Sequence, residues 1–264
     1  MFAPKSQRGA GVYDQAYGAY VEKKTPGTHM FNPRATMRVV NFDDRHFCLI
    51  VDDALLEPER LVQYAAARRE AFRPVDFHVY PGIHLMAPAD VINGLNELYR
   101  QQVRRRFDAR RCVRWEIRFS LVTLQPQDLR PLQWLCHVDD LGLDPRLSMQ
   151  ASVLYLFKDE RQGGTSFYVP IRSDAEIAML FKDARSLACQ EFTQRYGIRA
   201  GYMHEANEYF GRIGSISAKW NRLIFYDGSV LHSGDITAPD LLSKDPVAGR
   251  LTLNGFFTCR RNLK

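Results

Sequence analysis

Two stretches of this chain carry side chains whose types and spacing suit a metal ion. In the run WLCHVDD, His137 and Asp139 are two residues apart. Alternate side chains of an extended backbone share a face, so this imidazole and carboxylate reach the same point. The pair suits a borderline divalent metal. Alone it says little: with 7 histidines and 30 acidic residues in 264, about one His-x-acid pair arises by chance. A third donor has to come from a distant strand. His232 is placed for that role, in SVLHSGDI just after the Asp227-Gly228 turn. Two imidazoles and one carboxylate on one face of an octahedron leave three positions open, the donor set of non-haem Fe(II) sites. The remaining histidines (His29, His46, His78, His84 and His204) stand outside any such pattern.

A second constellation lies further on. Arg250 and Thr252, in RLTLNGFF, share a face by the same period-two rule. A guanidinium fork beside a hydroxyl is the chemistry that clamps a carboxylate. Gly163-Gly164 reads as a turn into a strand with room for bound groups. Tyr155, in SVLYLF, is either a core tyrosine or a residue facing the same interior.

The elements that must position these groups are mostly strands. Runs at 114–124, 148–157, 163–169, 214–219, 221–227, 229–236 and 250–259 are short, rich in β-branched and aromatic residues, and broken by Gly, Asp and Pro. That pattern predicts an antiparallel sandwich or barrel. Upstream, residues 37–52 read as two strands around a polar turn. Two helices follow, one from Pro58 to about Phe72 and one from about Asp90 to Phe107. A helical insertion at 173–197 interrupts the strands, with Ser173 as N-cap and Gly197 as C-cap. The expected organisation is a loosely structured segment 1–36 and a single domain 37–264. Within that domain a helical support (37–113) precedes a β core (114–264).

Composition narrows the function classes. The chain is 45% hydrophobic and 25% charged, as globular proteins are. No apolar run approaches the ~20 residues that cross a bilayer, and the N-terminus lacks a secretory apolar region, so a cytoplasmic location without membrane partners is expected. Five cysteines without CxxC spacing argue against a disulfide framework or a zinc ribbon. Six arginines crowd Arg104 to Arg114 within a net charge of +6. A solvated helix end accounts for them, so nucleic acid is not the expected partner, although a phosphate-binding surface is the other reading. Nucleophile elbows, P-loops and dinucleotide GxGxxG motifs are absent.

Taken in order, HVD (137–139), GGTSFY (163–168), NRLIFYDGSVLHSGDI (221–236) and RLT (250–252) resemble the signature of 2-oxoglutarate- and Fe(II)-dependent oxygenases. The resemblance covers roughly residues 115–260. It is nearest the branch that holds prolyl hydroxylases and their uncharacterised bacterial relatives. It implies a mainly β fold with packed helices: a double-stranded β-helix, or cupin-like jelly roll, carrying two N-terminal helices and a helical insertion. It implies that His137, Asp139 and His232 are catalytic and hold Fe(II). Arg250 and Thr252, with Tyr155 nearby, would bind 2-oxoglutarate. O₂ would then oxidise an amino-acid, peptidyl or small-metabolite substrate, releasing succinate and CO₂. The carboxylate Asp139 points to hydroxylation, because related halogenases lack it. Two alternatives stay open here: a catalytically silent metal-binding or sensor domain, and a nucleic-acid-associated protein.

Overall fold

The structure is a computed structural model that describes residues 30–74, 80–140 and 142–262. Most of the 1–36 segment, together with His29 and His78, lies outside the described residues. The elements in chain order are β1 (Met37–Asn41), β2 (Phe47–Val51), α1 (Pro58–Ala67), β3 (Arg73–Pro74), β4 (Gly82–Met86), α2 (Ala89–Leu98), β5 (Arg111–Val122), β6 (Leu147–Tyr155), β7 (Thr165–Pro170), α3 (Asp174–Ser186), α4 (Cys189–Tyr196), β8 (Phe210–Ile216), β9 (Leu223–Asp227), β10 (Leu231–Gly234) and β11 (Leu251–Arg260). The fold is therefore mostly β with few helices. Among the described residues no helix is long and apolar enough to cross a membrane.

The strands form two antiparallel sheets. The larger has the order β1-β2-β9-β6-β11-β5-β4-β3 and the smaller β10-β7-β8. Alternation along the central strands assigns each sheet face. On β5, Ile117, Phe119 and Leu121 join Leu251, Leu253 and Phe257 of β11 in one buried cluster with Leu61 and Ala65 of α1 and Val91 and Leu95 of α2. The two N-terminal helices thus cover the outer face of the large sheet. The alternate residues face the small sheet, where Phe167 of β7 packs on Tyr226 of β9 at 5.2 Å and on Phe42 at 4.8 Å. The Tyr155 hydroxyl and Thr165 Oγ1 share a 2.8 Å hydrogen bond that ties the two sheets together.

Local chemistry accounts for the helix ends. Pro58 opens α1, where a missing N–H costs nothing. The second helix runs as expected to Arg106, but in three geometries: α2, a π turn at Tyr99–Val103 and a 3₁₀ turn at Arg104–Arg106. Tyr99, at the start of the π turn, stacks on Phe257 at 3.9 Å and donates its hydroxyl to Gln150 Oε1 at 2.6 Å. The 173–197 insertion is two helices rather than one, divided at Leu187 and Ala188, whose backbones are extended. Ser173 caps α3 in a capping box with Glu176, and Gly197 closes α4 in the left-handed region at φ 69°.

The insertion also has a job in positioning. Its buried residues Leu180, Ala184 and Phe192 pack with Leu129, Trp134, Leu135 and Cys136, the loop that leads into His137. Trp134 meets Phe192 edge-on at 5.9 Å and donates its indole N–H to the Leu129 carbonyl at 3.2 Å. The helices brace the loop that carries His137 and Asp139.

Candidate metal centre

His137, Asp139 and His232 converge: one nitrogen or oxygen from each lies within 4.8 Å of the others. Among the described residues this is the one such group of three or more His, Cys, Asp or Glu side chains. His232 Nε2 is 3.3 Å from Asp139 Oδ2, and His137 Nε2 is 3.8 Å from Asp139 Oδ1. His232 comes from β10 and is buried. His137 and Asp139 do not lie in a regular strand as the spacing rule expected. His137 forms an isolated antiparallel bridge with His232, and two backbone hydrogen bonds of 2.9 Å join them reciprocally. Asp139 N–H donates to the Gly228 carbonyl at 2.7 Å. The bridge at His137 and the bend at Asp139 still bring the two side chains together.

The turn before β10 fixes the opposite wall. Asp227 Oδ1 accepts from the N–H and hydroxyl of Ser229, making a side-chain-supported turn around Gly228. A Cβ on Gly228 would lie 3.1 Å from both Asp139 Cβ and the Met149 carbonyl oxygen. This glycine therefore lets the Asp139 backbone come close. His232 Nδ1 donates to the Val230 carbonyl at 2.8 Å, which leaves the Nε2 lone pair facing Asp139. That is how a ligating imidazole is usually oriented.

Electrostatics fit the same purpose. Burial drives the His232 imidazole down to about 4, against a small upward pull from the Val230 carbonyl. Burial lifts the Asp139 carboxyl to about 6, opposed by the positive charges of His137 and Arg118. Burial and the neighbouring His232 also lower the His137 imidazole to about 4, against an upward pull from the Asp139 charge. Asp139 Oδ2 is buried without a hydrogen-bond partner. Neutral imidazoles beside a buried, unsatisfied carboxylate oxygen form a donor set that a divalent cation would complete.

The second constellation is organised differently from its sequence reading. Arg250 precedes β11 and is buried. Its Nε donates to the carbonyls of Gln162 and Gly163 at 3.0 and 3.1 Å, and Nη2 to the Gly164 carbonyl at 2.7 Å. The two glycines leave room, but for backbone and not for a ligand. A Cβ on Gly163 would sit 1.9 Å from the Asp235 carbonyl oxygen, and one on Gly164 1.9 Å from that of Ile216. The carbonyls of Gln162, Gly163 and Gly164 hold the Nε and Nη2 edge of the guanidinium and leave Nη1 outside their grip. Thr252 donates its hydroxyl to the Ser120 carbonyl at 3.3 Å. Tyr155 is fully buried, and the positive charge of Arg250 is among those acting on its phenol.

Sequence reasoning missed several inward-facing polar groups. Tyr226 packs edge-on against His232 at 4.7 Å. Tyr80 has a buried hydroxyl near Thr252 and Ser120, and burial pushes its phenol up to about 12. Arg118, Ser120 and Asn254 stand on the inner faces of β5 and β11. The available signal was polar residues alternating with apolar ones along both strands, a pattern that a strand facing bulk water shows as well. Three of the histidines left outside the metal pattern have partners elsewhere. His46 pairs with Asp43, His84 packs on Tyr80, and His204 hydrogen-bonds the Tyr202 carbonyl.

Residues 33–257 match a family described as "Family of unknown function (DUF6445)". No curated protein matches the sequence. Among solved structures the chain is similar to the "non-heme alpha ketoglutarate dependent epimerase SnoN from nogalamycin biosynthesis", with 9% identity, coverage of 81% of each chain and a TM-score of 0.44.

Proposed function

The chain belongs to the family of unknown function DUF6445, and from its interior geometry we propose that it is a 2-oxoglutarate-dependent, non-haem Fe(II) oxygenase with a jelly-roll core. The observation that carries this reading is the convergence of His137, Asp139 and His232 around a buried carboxylate oxygen without a partner. Two histidines and one carboxylate suit Fe(II) and leave coordination positions for other ligands. Such an ion, when bound with 2-oxoglutarate, supplies oxidation by O₂ with release of succinate and CO₂.

The chain's own residues do the rest. Val230 holds the His232 ring in the tautomer that offers Nε2. Arg250, gripped along one edge by three carbonyls, presents its remaining N–H groups to the distal carboxylate of the cosubstrate. The hydroxyls of Thr252 and Tyr155 flank that position. Phe157, beneath Arg250 at 5.6 Å, and Phe167, behind His232 at 6.4 Å, line the interior with rings that exclude water. The substrate is an amino-acid, peptidyl or small-metabolite compound, and the outcome is hydroxylation.

Calorimetry under anaerobic conditions tests the reading directly. Mn(II), as a redox-silent stand-in, should bind wild type and fail with Asp139→Ala. 2-Oxoglutarate should bind only the metal-loaded protein and fail with Arg250→Ala. With Fe(II) and O₂, succinate should form at a slow uncoupled rate. Absence of both metal and 2-oxoglutarate binding at millimolar concentration refutes the proposal. Binding of both without any succinate identifies a sensor domain instead.

A further inference from the structure

Beyond the three ligands and Arg250, a polar patch on β5 and β11 faces the interior. Arg118 of β5 and Asn254 of β11 are register partners, and Asn254 also pairs with Val153 of β6. Two residues back along β6, Ala151 pairs with Tyr226, whose ring packs on His232. Two residues on, Tyr155 pairs with Thr252, the neighbour of Arg250. The patch therefore lies between the proposed metal ligands and the proposed cosubstrate clamp, displaced toward β5. The charge of Arg118 is among those felt by Asp139.

Its groups are fixed and incompletely satisfied. Asn254 Nδ2 donates to Ser120 Oγ at 3.1 Å, which directs Oδ1 away from Ser120, and Oδ1 is buried with no donor. The Arg118 guanidinium lies over the Phe256 ring, 4.6 Å from its centroid, and Nη1 is held by the Glu116 carboxylate. Its Nε is buried with no acceptor. The Arg118 side chain is 12% exposed and Glu116 34%, so Glu116 marks the lip and Arg118 the inside. A buried guanidinium N–H without an acceptor and a buried amide oxygen without a donor, on register-paired residues, are groups that a ligand carrying both an acceptor and a donor would complete.

We propose that Arg118 and Asn254 form the substrate subsite, with Arg118 taking a carboxylate, Asn254 Oδ1 taking an N–H, and Glu116 at the lip favouring an ammonium. The complementary ligand is a free α-amino acid or a close amino-carboxylate, because an internal peptidyl residue has neither a free α-carboxylate nor a free α-amine to offer together. The assignment of this ligand as the compound oxidised rests on the function proposed above. Its binding to the patch does not.

The test uses the full chain without metal, so that the two readings fail separately. The proteinogenic L-amino acids serve as probes in ligand-observed NMR, followed by calorimetry of each hit. At least one should bind saturably. Its decarboxylated amine and its deaminated acid should each bind about 10- to 100-fold more weakly, the loss expected for a charge-assisted hydrogen bond. Arg118→Gln should remove the preference for the carboxylate, and Arg118→Lys should restore part of it. Thermal unfolding of both variants checks that they fold, and 2-oxoglutarate affinity of the Mn(II)-loaded variants should stay within about threefold of wild type. No binding of any amino acid by wild type overturns the subsite. So does a deaminated acid that binds as well as the amino acid, or an Arg118→Gln protein that loses 2-oxoglutarate instead. Amino-acid binding to a protein that takes neither metal nor 2-oxoglutarate leaves the subsite standing and removes the iron reading.

Discussion

His137 and His232 each donate a backbone N–H to the other's carbonyl, both at 2.9 Å. The spacing of the two imidazoles is thus set by a β-bridge between distant parts of the chain. Their ring centroids are 4.4 Å apart, and both rings offer Nε2 to Asp139. A rigid backbone link of this kind would preorganise the proposed metal site before any ion arrives.

Gly228 is the point at which that preorganisation is most easily disturbed. An added methyl group would press on Asp139 Cβ and on the Met149 carbonyl oxygen, each 3.1 Å away. Gly228→Ala is therefore expected to keep the fold and to weaken Mn(II) binding by about 10-fold, the effect typical of losing a ligand's support. Calorimetric titration of both proteins measures this. An unchanged affinity would show that Asp139 does not need its present position.

Arg250→Lys separates charge from shape. Lysine keeps the positive charge but lacks the edge that donates to the carbonyls of Gln162, Gly163 and Gly164. A compact ammonium also loses the two-pronged grip on a carboxylate. The expected result is a 10- to 100-fold loss of 2-oxoglutarate affinity, with a lower unfolding midpoint from the loosened 162–164 turn. Full affinity in the lysine variant would assign the anchoring role to another residue.

Much of this arrangement was legible from alternation. The β5, β6, β9 and β11 runs, the two N-terminal helices and the Ser173 and Gly197 caps follow from local chemistry that the fold does not override. The meeting of His137 with Asp139 was legible from their spacing, although Asp139 reaches the point from a bend and not from a strand. The grip of the 162–164 carbonyls on Arg250 was not legible, since it depends on which backbone approaches Gly163 and Gly164 from across the fold. Arg118 and Asn254 were hidden for a related reason. A polar residue on an alternating strand reads the same whether it faces water or a second sheet, and only the position of the small sheet decides. The division of the 173–197 insertion at Leu187 was likewise set by packing, as α4 turns to place Phe192 against Trp134.

Phe257 probes the opposite face of the large sheet. It is fully buried, stacks on Tyr99 and also meets Phe225 at 6.4 Å. Phe257→Ala would leave a cavity under the π turn of the second helix and remove Tyr99's stacking partner. The expected destabilisation is about 3–5 kcal/mol, measured by urea denaturation, with metal affinity retained in the folded fraction. A loss below about 1 kcal/mol would mean that the helices repack over the sheet without strain.

The last prediction concerns acid stability and the junction of β2 with β9. Arg222 Nε and Nη2 donate to the two carboxylate oxygens of Asp52 at 2.6 and 3.2 Å. The hydrogen bond from Arg222 holds the Asp52 carboxyl below its ordinary range, with partial burial opposing it. The folded protein then takes up this proton less readily than the unfolded chain. The pair's contribution is fully present above the unfolded carboxylate pKa of about 4 and is lost as pH falls through the lower folded value. Asp52→Asn should cost about 1 kcal/mol at neutral pH, a figure kept small because the pair is partly exposed. The difference between variant and wild type should shrink toward zero in strong acid, as followed by urea denaturation across a pH series. A difference that stays constant below pH 4 would mean that Asp52 stabilises the junction through packing, independently of its charge.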